Sequence, residues 1–359
     1  AQGSCNSHTA ILAKTMGIPA IVRLGDVITD DMHGRHAAVD GSAGTLWIDP
    51  TESICRLIQE KTMDLDERRQ QLMQYKGLPS VSRDGVSVKL FANVGALEDC
   101  EAAAENDAEG VGLFRTEFQY LGAATCPGEE ELFRLYRDAV QAMDGRPVVF
   151  RTLDIGADKQ APYLSLPQED NPAMGLRAVR LCLTRRDLLR TQLRALYRAS
   201  AFGPIAIMVP MIISVWEVQK VKEIMAEIRA ELDAQKIPYG KVEFGIMIET
   251  PAAVIIADEL AKEVDFFSIG TNDLTQYTLA IDRQNAKLDM FYDSHHPAVL
   301  KMIQMVIDSA HKEGIWAGIC GELGADTTLT EQFVAMGIDE LSVSPAMVLP
   351  VRERVVGME

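Results

Sequence analysis

The sequence lacks the features that define several common classes of protein. Its six cysteines, at positions 5, 55, 100, 126, 182 and 320, form no C-x-x-C pair, which argues against a zinc site or a disulfide framework. No apolar run reaches the roughly 18 residues of a membrane-spanning helix, and no signal-peptide pattern opens the chain. We therefore expect a cytoplasmic protein.

Basic residues are also scarce, with 35 Lys and Arg against 52 Asp and Glu, for a net charge of −17. This excess of negative charge argues against sequence-independent binding to nucleic acid or to an anionic membrane. An anionic ligand would instead need arginines gathered at one place. The 359 residues, 47% of them hydrophobic, suffice for one barrel and a smaller unit.

The chain begins with Ala1 on a Gly-Ser loop, and we expect it to be a fragment of a longer protein. His8 lies on a polar loop before a predicted apolar helix at 10–16. The positive end of that helix would favour a nearby phosphate and a neutral imidazole, which is a usable nucleophile. The plainer interpretation, a surface histidine in a turn, remains open at this point.

Short β-like segments at 37–39 and 45–48 precede a polar helix that runs from 51 to about 75. From position 86 onward, apolar segments alternate with helical ones. The predicted strands are 86–91, 110–114, 148–150, 205–209, 244–248, 266–270, 315–319 and 340–343. The predicted helices between them are 97–106, 129–143, 186–200, 215–235, 252–264, 298–312 and 328–336.

Eight strands alternating with helices are typical of a (β/α)8 TIM-type barrel, an α/β fold. A doubly wound open sheet is the alternative, but no G-x-G-x-x-G follows the first strand.

Polar residues follow the predicted strands, and carboxyl strand ends meet at one edge of a parallel sheet. They are Asn93, Arg115, Glu117, Arg151, Asp154, Lys159, Pro210, Glu249, Asn272, Asp273, Cys320, Glu322, Ser342 and Ser344. Converging arginines indicate a small anionic ligand that carries both phosphate and carboxylate, and Arg283 could add another arginine. Alternatively, Arg115 and Arg151 merely pair with Glu117 and Asp154.

Glu249 and Asp273 each follow an apolar strand, and carboxylate pairs of this kind suit Mg²⁺ or Mn²⁺. We expect Glu249 to face solvent. The alternative is that both acids cap the helices after them, since Thr250-Pro251 is a good helix start.

Six stretches closely resemble Enzyme I of the bacterial sugar phosphotransferase system, the family of phosphoenolpyruvate-protein phosphotransferases. They are Ser-His-Thr-Ala-Ile-Leu-Ala from Ser7, Gly-Val-Gly-Leu-Phe-Arg-Thr-Glu-Phe from Gly110, Arg-Thr-Leu-Asp-Ile-Gly-Ala-Asp-Lys from Arg151, Glu-Thr-Pro-Ala-Ala from Glu249, Phe-Phe-Ser-Ile-Gly-Thr-Asn-Asp-Leu-Thr-Gln-Tyr from Phe266, and Cys-Gly-Glu-Leu from Cys320. The resemblance extends from Ser7 almost to the last residue.

The resemblance implies part of a swivelling phosphohistidine domain at 1–50, a linker helix at 51–80 and a phosphoenolpyruvate (PEP)-binding barrel at 81–359. It implies phosphoryl transfer from PEP to Nε2 of His8 and on to the carrier protein HPr, and a homodimer formed through the barrels. By this resemblance, we expect the helical domain that docks HPr to be absent from this sequence. We also expect the sequence after Met358 to be short of a final helix.

The resemblance also implies roles for individual residues. Glu249 and Asp273 match the Mg²⁺ ligands, and Cys320 matches the residue that protonates the methylene carbon as enolpyruvate becomes pyruvate. The substrate-binding residues implied are Arg115, Arg151, Lys159, Asn272, Asp273 and Arg283.

Two alternatives remain. A pyruvate phosphate dikinase or phosphoenolpyruvate synthase shares the histidine loop and the barrel but uses an ATP-grasp domain. A non-catalytic PEP-sensing module would not need both a nucleophile such as His8 and a proton donor such as Cys320, so the presence of both argues against it.

Overall fold

The computed structural model describes Ala13 and residues 18–22, 24–156 and 161–358. The chain divides into two compact units. The first consists of Ala1–Leu78 and Ala280–Asp293, and the second of Pro79–Leu279 and Ser294–Glu359.

The first unit contains an antiparallel hairpin of β1 (Ala37–Asp40) and β2 (Thr45–Ile48), followed by the helix Glu52–Leu72. The side chain of Thr51 caps this helix by accepting a hydrogen bond from the backbone N–H of Ile54. Lys61 on the helix forms an ion pair with Asp40 of the hairpin, which links the two elements. The two β-like segments and the helix were predicted, whereas their pairing as a hairpin was not. Except for Ala13, the helix predicted at 10–16 lies outside the described residues.

The second unit is a closed barrel of eight parallel strands in the order β3 to β10, with β10 paired to β3. The strands are β3 (Lys89–Val94), β4 (Val111–Arg115), β5 (Val148–Arg151), β6 (Ile205–Val209), β7 (Val242–Ile248), β8 (Phe266–Ile269), β9 (Trp316–Ile319) and β10 (Glu340–Val343). The barrel prediction is confirmed, and closure excludes the open sheet.

The α-helices of the barrel unit follow its strands as the alternation predicts. They are Leu97–Glu105, Glu117–Leu121, Glu129–Ala142, Ala178–Thr184, Arg186–Ala199, Val215–Gln235, Pro251–Ile255, Ala257–Leu260, Thr271–Leu279, Pro297–Lys312, Thr330–Ala335 and Val348–Gly357. Short 3-10 turns are Gly25–Val27, Asp30–Met32, Met73–Tyr75, Pro162–Leu164, Pro172–Met174, Ser200–Phe202, Ala261–Glu263, Ala286–Phe291, Glu322–Ala325 and Pro345–Met347. None of the helices in the described part of the chain is long and apolar enough to cross a membrane.

Four of these helices were not predicted, and the single helix predicted at 252–264 is divided into shorter pieces. The missed helices are Glu117–Leu121, Ala178–Thr184, Thr271–Leu279 and Val348–Gly357. Each has ten residues or fewer, too short for a clear helical period in the sequence. Two of them, Glu117–Leu121 and Thr271–Leu279, begin within two residues of a strand end.

A buried hydrogen-bond network fixes the carboxyl ends of β4 and β5. Gln192, on the helix Arg186–Ala199, accepts from the backbone N–H of Leu153 at 2.9 Å. Its amide donates to the hydroxyls of Thr116 at 2.9 Å and Tyr136 at 3.1 Å. Thr116 in turn donates to the backbone carbonyl of Arg151 at 2.8 Å. One helix side chain therefore holds the segments that follow two strands.

We predict that Gln192→Leu lowers the free energy of unfolding by about 3 kcal/mol, because it leaves buried polar groups on three partners without a hydrogen bond. The measurement is urea denaturation followed by circular dichroism. The matched control is Gln332→Leu, the same change at an exposed helical position, where we expect a shift within about 0.5 kcal/mol. Equal stability of the two variants would contradict the role of the network.

Candidate active site

Arg115 and Arg151 lie side by side at the carboxyl end of the barrel. They are the last residues of β4 and β5 and are register partners across the two strands, so their side chains point to the same face. Burial and the neighbouring charge of Arg151 lower the pKa of Arg115 from its ordinary value. Two guanidinium groups held together in a poorly solvated place favour a bound anion.

Carboxylates hold Arg151 in position. It contacts Glu117 at 2.6 Å and Asp154 at 3.3 Å, and Arg177 contacts the other oxygen of Asp154 at 2.8 Å. All four side chains are buried. Burial alone would lower the pKa of Arg151, but Glu117, Asp154 and Glu249 outweigh it and raise the pKa. The alternative in which Arg151 pairs with Glu117 and Asp154 is thus realised for Arg151.

These ion pairs leave donor capacity on the arginines. Within the described residues, the buried Nε atoms of Arg151 and Arg177 have no hydrogen-bond partner. Since each guanidinium carries five N–H donors, pairing with carboxylates does not exhaust the ability of Arg151 and Arg177 to bind an anion.

Glu249 follows β7 and is buried, with 1% of its surface exposed, so the expectation that it faces solvent is wrong. One of its oxygens accepts from the backbone N–H of Met211 at 2.6 Å. The cap of the helix Pro251–Ile255 is Thr250, which accepts from Ala253 N–H at 3.2 Å. Glu249 is therefore not a helix cap and is available for other chemistry.

Asp273 lies in the first turn of the helix Thr271–Leu279 and is 7% exposed. Burial, Asp273 and Asp154 together raise the pKa of Glu249 to about 8. This mutual repulsion of buried carboxylates is what a divalent cation would relieve, and one or two carboxylates are the usual protein ligands of Mg²⁺. No group of three or more His, Cys, Asp or Glu side chains suited to a metal occurs in the described ranges.

Two glycines leave room for these acids. A Cβ at Gly270 would lie 2.8 Å from a carboxylate oxygen of Glu249, and one at Gly321 would lie 1.9 Å from the hydroxyl of Thr271. Any larger residue would therefore displace the Glu249 side chain or the start of the helix that carries Asp273.

Cys320 directly follows β9 and is 2% exposed. Its thiol donates to the carbonyl of Ile269 at 3.7 Å, and burial raises its pKa to about 12. Asn93 donates to the carbonyls of Cys320 at 3.1 Å and Ser342 at 3.0 Å, which fixes the strand ends around the thiol. Cys320 is thus a protonated thiol at neutral pH.

Residues 69–359 match the family model described as PEP-utilising enzyme, PEP-binding domain, and residues 1–44 match PEP-utilising enzyme, mobile domain. The chain belongs to the PEP-utilising enzyme family.

Members with curated names include the phosphoenolpyruvate-protein phosphotransferases of Priestia megaterium and Haemophilus influenzae. The first is 45% identical over 98% of this chain and 62% of its own length. The second is 45% identical over 95% of this chain and 60% of its own length. The chain thus spans about three fifths of these PEP-utilising relatives.

Among solved structures, an HpcH/HpaI aldolase/citrate lyase family protein from Burkholderia cenocepacia J2315 aligns with a TM-score of 0.46 and 15% identity. The alignment covers 76% of this chain and 94% of that one. A likeness this weak says nothing about activity.

The structure brings most, but not all, of the residues predicted for a PEP site to one end of the barrel. Arg115, Arg151, Glu249, Asp273 and Cys320 lie at one end of the barrel. Asn272 joins them, and its side-chain oxygen accepts from the backbone N–H of Glu322 at 3.0 Å. His8 and Lys159 lie outside the described residues. Arg283 belongs to the segment Ala280–Asp293 of the other compact unit, so its role in the PEP-utilising family's site stays a prediction.

Sequence reasoning missed Arg177 and Met211. Arg177 lies in a long connection after β5, far from any strand end, and no periodic signal marks it. Met211 has a positive φ of 62°, uncommon for a residue with a side chain. That backbone conformation accompanies its N–H bond to Glu249 and is a local strain of the kind found at functional sites in many folds.

We predict that Cys320 resists alkylation by iodoacetamide at pH 8, because its raised pKa keeps the thiol protonated and burial excludes the reagent. Exposed Cys55 is the internal comparison and should react at least about tenfold faster. Peptide mass spectrometry measures the alkylation of both cysteines. In urea-unfolded protein, the two cysteines should react at similar rates. Equal reaction of Cys320 and Cys55 in the native protein would contradict a buried, protonated thiol at Cys320.

Proposed function

We propose that this chain carries out phosphoryl transfer from PEP to His8, as part of a phosphoenolpyruvate-protein phosphotransferase that passes the group on to the carrier HPr. The single observation that carries the proposal is the adjacent pair Arg115 and Arg151, held at the barrel edge opposite buried acids. The names of the 45% identical relatives favour this member of the family over a pyruvate phosphate dikinase.

In this proposal, PEP binds through its phosphate and carboxylate to the guanidinium groups. Arg115 has less carboxylate pairing than Arg151 and is half-buried, so it is suited to contact the phosphate that moves. Arg151 and Arg177 are fixed by Asp154 and keep their Nε donors for the substrate. Lys159, Asn272 and Arg283 assist, as the resemblance implies.

Glu249 and Asp273 would hold the divalent cation, Mg²⁺ or Mn²⁺. When bound, the cation supplies positive charge that stabilises the developing enolate and the phosphate oxygens. For Glu249, binding requires loss of the proton that burial and Asp273 otherwise favour. The backbone N–H of Met211 orients one of its oxygens.

The proposed reaction breaks the bond between phosphorus and the enolate oxygen and forms a bond between phosphorus and Nε2 of a neutral His8. The arginines stabilise the negative charge left on the enolate oxygen. Cys320 gives its proton to the methylene carbon, which yields pyruvate and a thiolate that is reprotonated later. The high pKa of Cys320 keeps that proton available at neutral pH.

The same proposal covers the division of the chain into domains, its location and its partners. Residues 1–50 would form part of the swivelling phosphohistidine domain, 51–80 the linker and 81–359 the barrel that binds PEP. The protein would act in the cytoplasm as a homodimer formed through the barrels, with HPr as its phosphocarrier partner.

We predict that Glu249→Gln removes the Mg²⁺ dependence of PEP binding, because the amide is isosteric but is a far weaker metal ligand than a carboxylate. Calorimetry of PEP binding with and without Mg²⁺ measures it. The matched control is Glu259→Gln, an exposed acid in the connection that follows the same strand, which should keep the dependence. An unchanged response to Mg²⁺ in Glu249→Gln would exclude Glu249 as a ligand.

We predict that phosphate-labelled PEP labels the chain at His8 as an acid-labile phosphohistidine, and that His8→Gln carries no label. Arg115→Met should slow labelling by about 10²- to 10³-fold, the usual effect of losing one donor to developing charge. The measurement is label incorporation over time with Mg²⁺ present.

The control for this experiment is Arg134→Met, which removes an exposed arginine paired only with Glu130 in the described contacts. It should label at the wild-type rate. Label that persists in His8→Gln, or Arg115→Met acting as fast as the control, would refute the proposed function.

A further inference from the structure

A cavity of about 550 Å³ opens at the end of the barrel opposite Arg115 and Arg151, among the amino ends of the strands. Its lining includes Lys89, Lys241, Trp316 and Glu340, which begin or immediately precede β3, β7, β9 and β10. Its volume falls within the roughly 300–1,000 Å³ of known small-molecule sites. None of the residues discussed for PEP lines it.

The cavity reaches a buried acid. Glu340 is 2% exposed, and neither of its carboxylate oxygens has a hydrogen-bond partner among the described residues. A buried polar atom without a partner is costly, so each such atom in a native fold needs an explanation.

Two glycines make space for this carboxylate inside the barrel. A Cβ at Gly318 would lie 1.9 Å from one oxygen of Glu340, and a Cβ at Gly112 would lie 2.4 Å from the other. Both glycines are strand residues, on β9 and β4, where glycine is otherwise unfavourable. The acid therefore occupies space inside the barrel that glycines on two other strands leave open.

The walls and rim of the cavity indicate which chemical groups a ligand would present to it. Trp316 stacks on Phe266 at 4.3 Å with an interplanar angle of 3°, and Phe91 and Val149 add apolar surface. The exposed lysines Lys89 and Lys241 lie at the rim. The lining thus combines one inner acid and an aromatic and aliphatic wall with two lysines and two further acids, Glu243 and Asp339, nearer solvent.

We propose that this cavity binds a small primary amine with an apolar or aromatic portion, whose ammonium group donates hydrogen bonds to the carboxylate of Glu340. The apolar portion packs against Trp316 and its neighbours. A free amine and an amino acid share this chemistry. The rim lysines would add affinity only for the amino acid, through its carboxylate.

A cationic ligand accounts for the unpaired carboxylate oxygens of Glu340 better than a neutral hydrogen-bond donor does. The ammonium group offers three donors, enough for both oxygens, and hydrogen bonds to charged groups are stronger than neutral ones. Burial, followed by the charge of Asp339, raises the pKa of Glu340 well above its usual range, while Lys89 opposes the shift. The positive charge of a nearby ammonium group would favour the ionised carboxylate and so oppose this shift.

The test is isothermal calorimetry with phenethylamine, phenylalanine and 2-phenylethanol, which differ in charge around one phenyl group. We expect one site per chain for phenethylamine or phenylalanine and weaker binding of 2-phenylethanol. Tighter binding of phenylalanine would identify an amino acid as the ligand, and tighter binding of phenethylamine a simple amine. Saturation with PEP and Mg²⁺ should leave the affinity unchanged, since the two sites lie at opposite strand ends.

Glu340→Gln should weaken amine binding by about 10- to 100-fold, the effect of losing one charged hydrogen-bond partner. The control is Glu243→Gln, an exposed acid in the same lining, with an expected change below about twofold. Should Glu340→Gln fail to fold, Ala206→Leu narrows the cavity from β6 and leaves the acid in place; it should also weaken binding.

Three results would overturn the proposal. The first is no binding of any probe up to about 10 mM. The second is equal binding of 2-phenylethanol and phenethylamine. The third is amine affinity that is the same in folded Glu340→Gln as in the wild type.

Discussion

The buried ion pairs of Arg151 with Glu117 and Asp154 are the constraint on which the carboxyl end of the barrel depends. Removing these charges from water is costly, and the cost is offset only while every partner stays in place. Asp154 is shared with Arg177, so the positions of two guanidinium groups are set by one carboxylate. The network of Gln192 fixes the backbone beneath them. The guanidinium groups of Arg151 and Arg177 are therefore held in one arrangement by contacts within the protein itself.

The sequence predicted the barrel because its strands are apolar runs, buried on both faces, that alternate with helical stretches. Each predicted strand overlaps an observed one. Because the carboxyl ends of parallel strands meet at one edge, the sequence also correctly placed Arg115, Arg151, Glu249 and Asp273 at the same end of the barrel. Short helices such as Thr271–Leu279 were missed because they carry less than three turns of pattern. The burial of Glu249 was missed because neighbouring elements cover it, and sequence spacing does not report that cover.

Other parts of the site depend on contacts that no local pattern encodes. Arg177 reaches Asp154 from a connection of irregular structure, and the two are 23 residues apart in sequence. Met211 donates to Glu249 from the segment after a different strand, 38 residues away. Such pairs follow from the closure of the barrel. They emerge only when the strand order and register are known.

The two deeply buried acids, Glu249 at one end of the barrel and Glu340 at the other, couple folding to proton uptake. Both have a raised pKa in the folded chain, so the native state binds more protons than the unfolded state above the ordinary carboxyl range. For Glu249, this contribution to stability declines as pH rises from about 4.5 toward 8 and is constant above it. Below that window both states are protonated, and Glu249 contributes no pH dependence. The contribution of these two acids therefore favours the folded barrel more in mildly acidic solution than in alkaline solution.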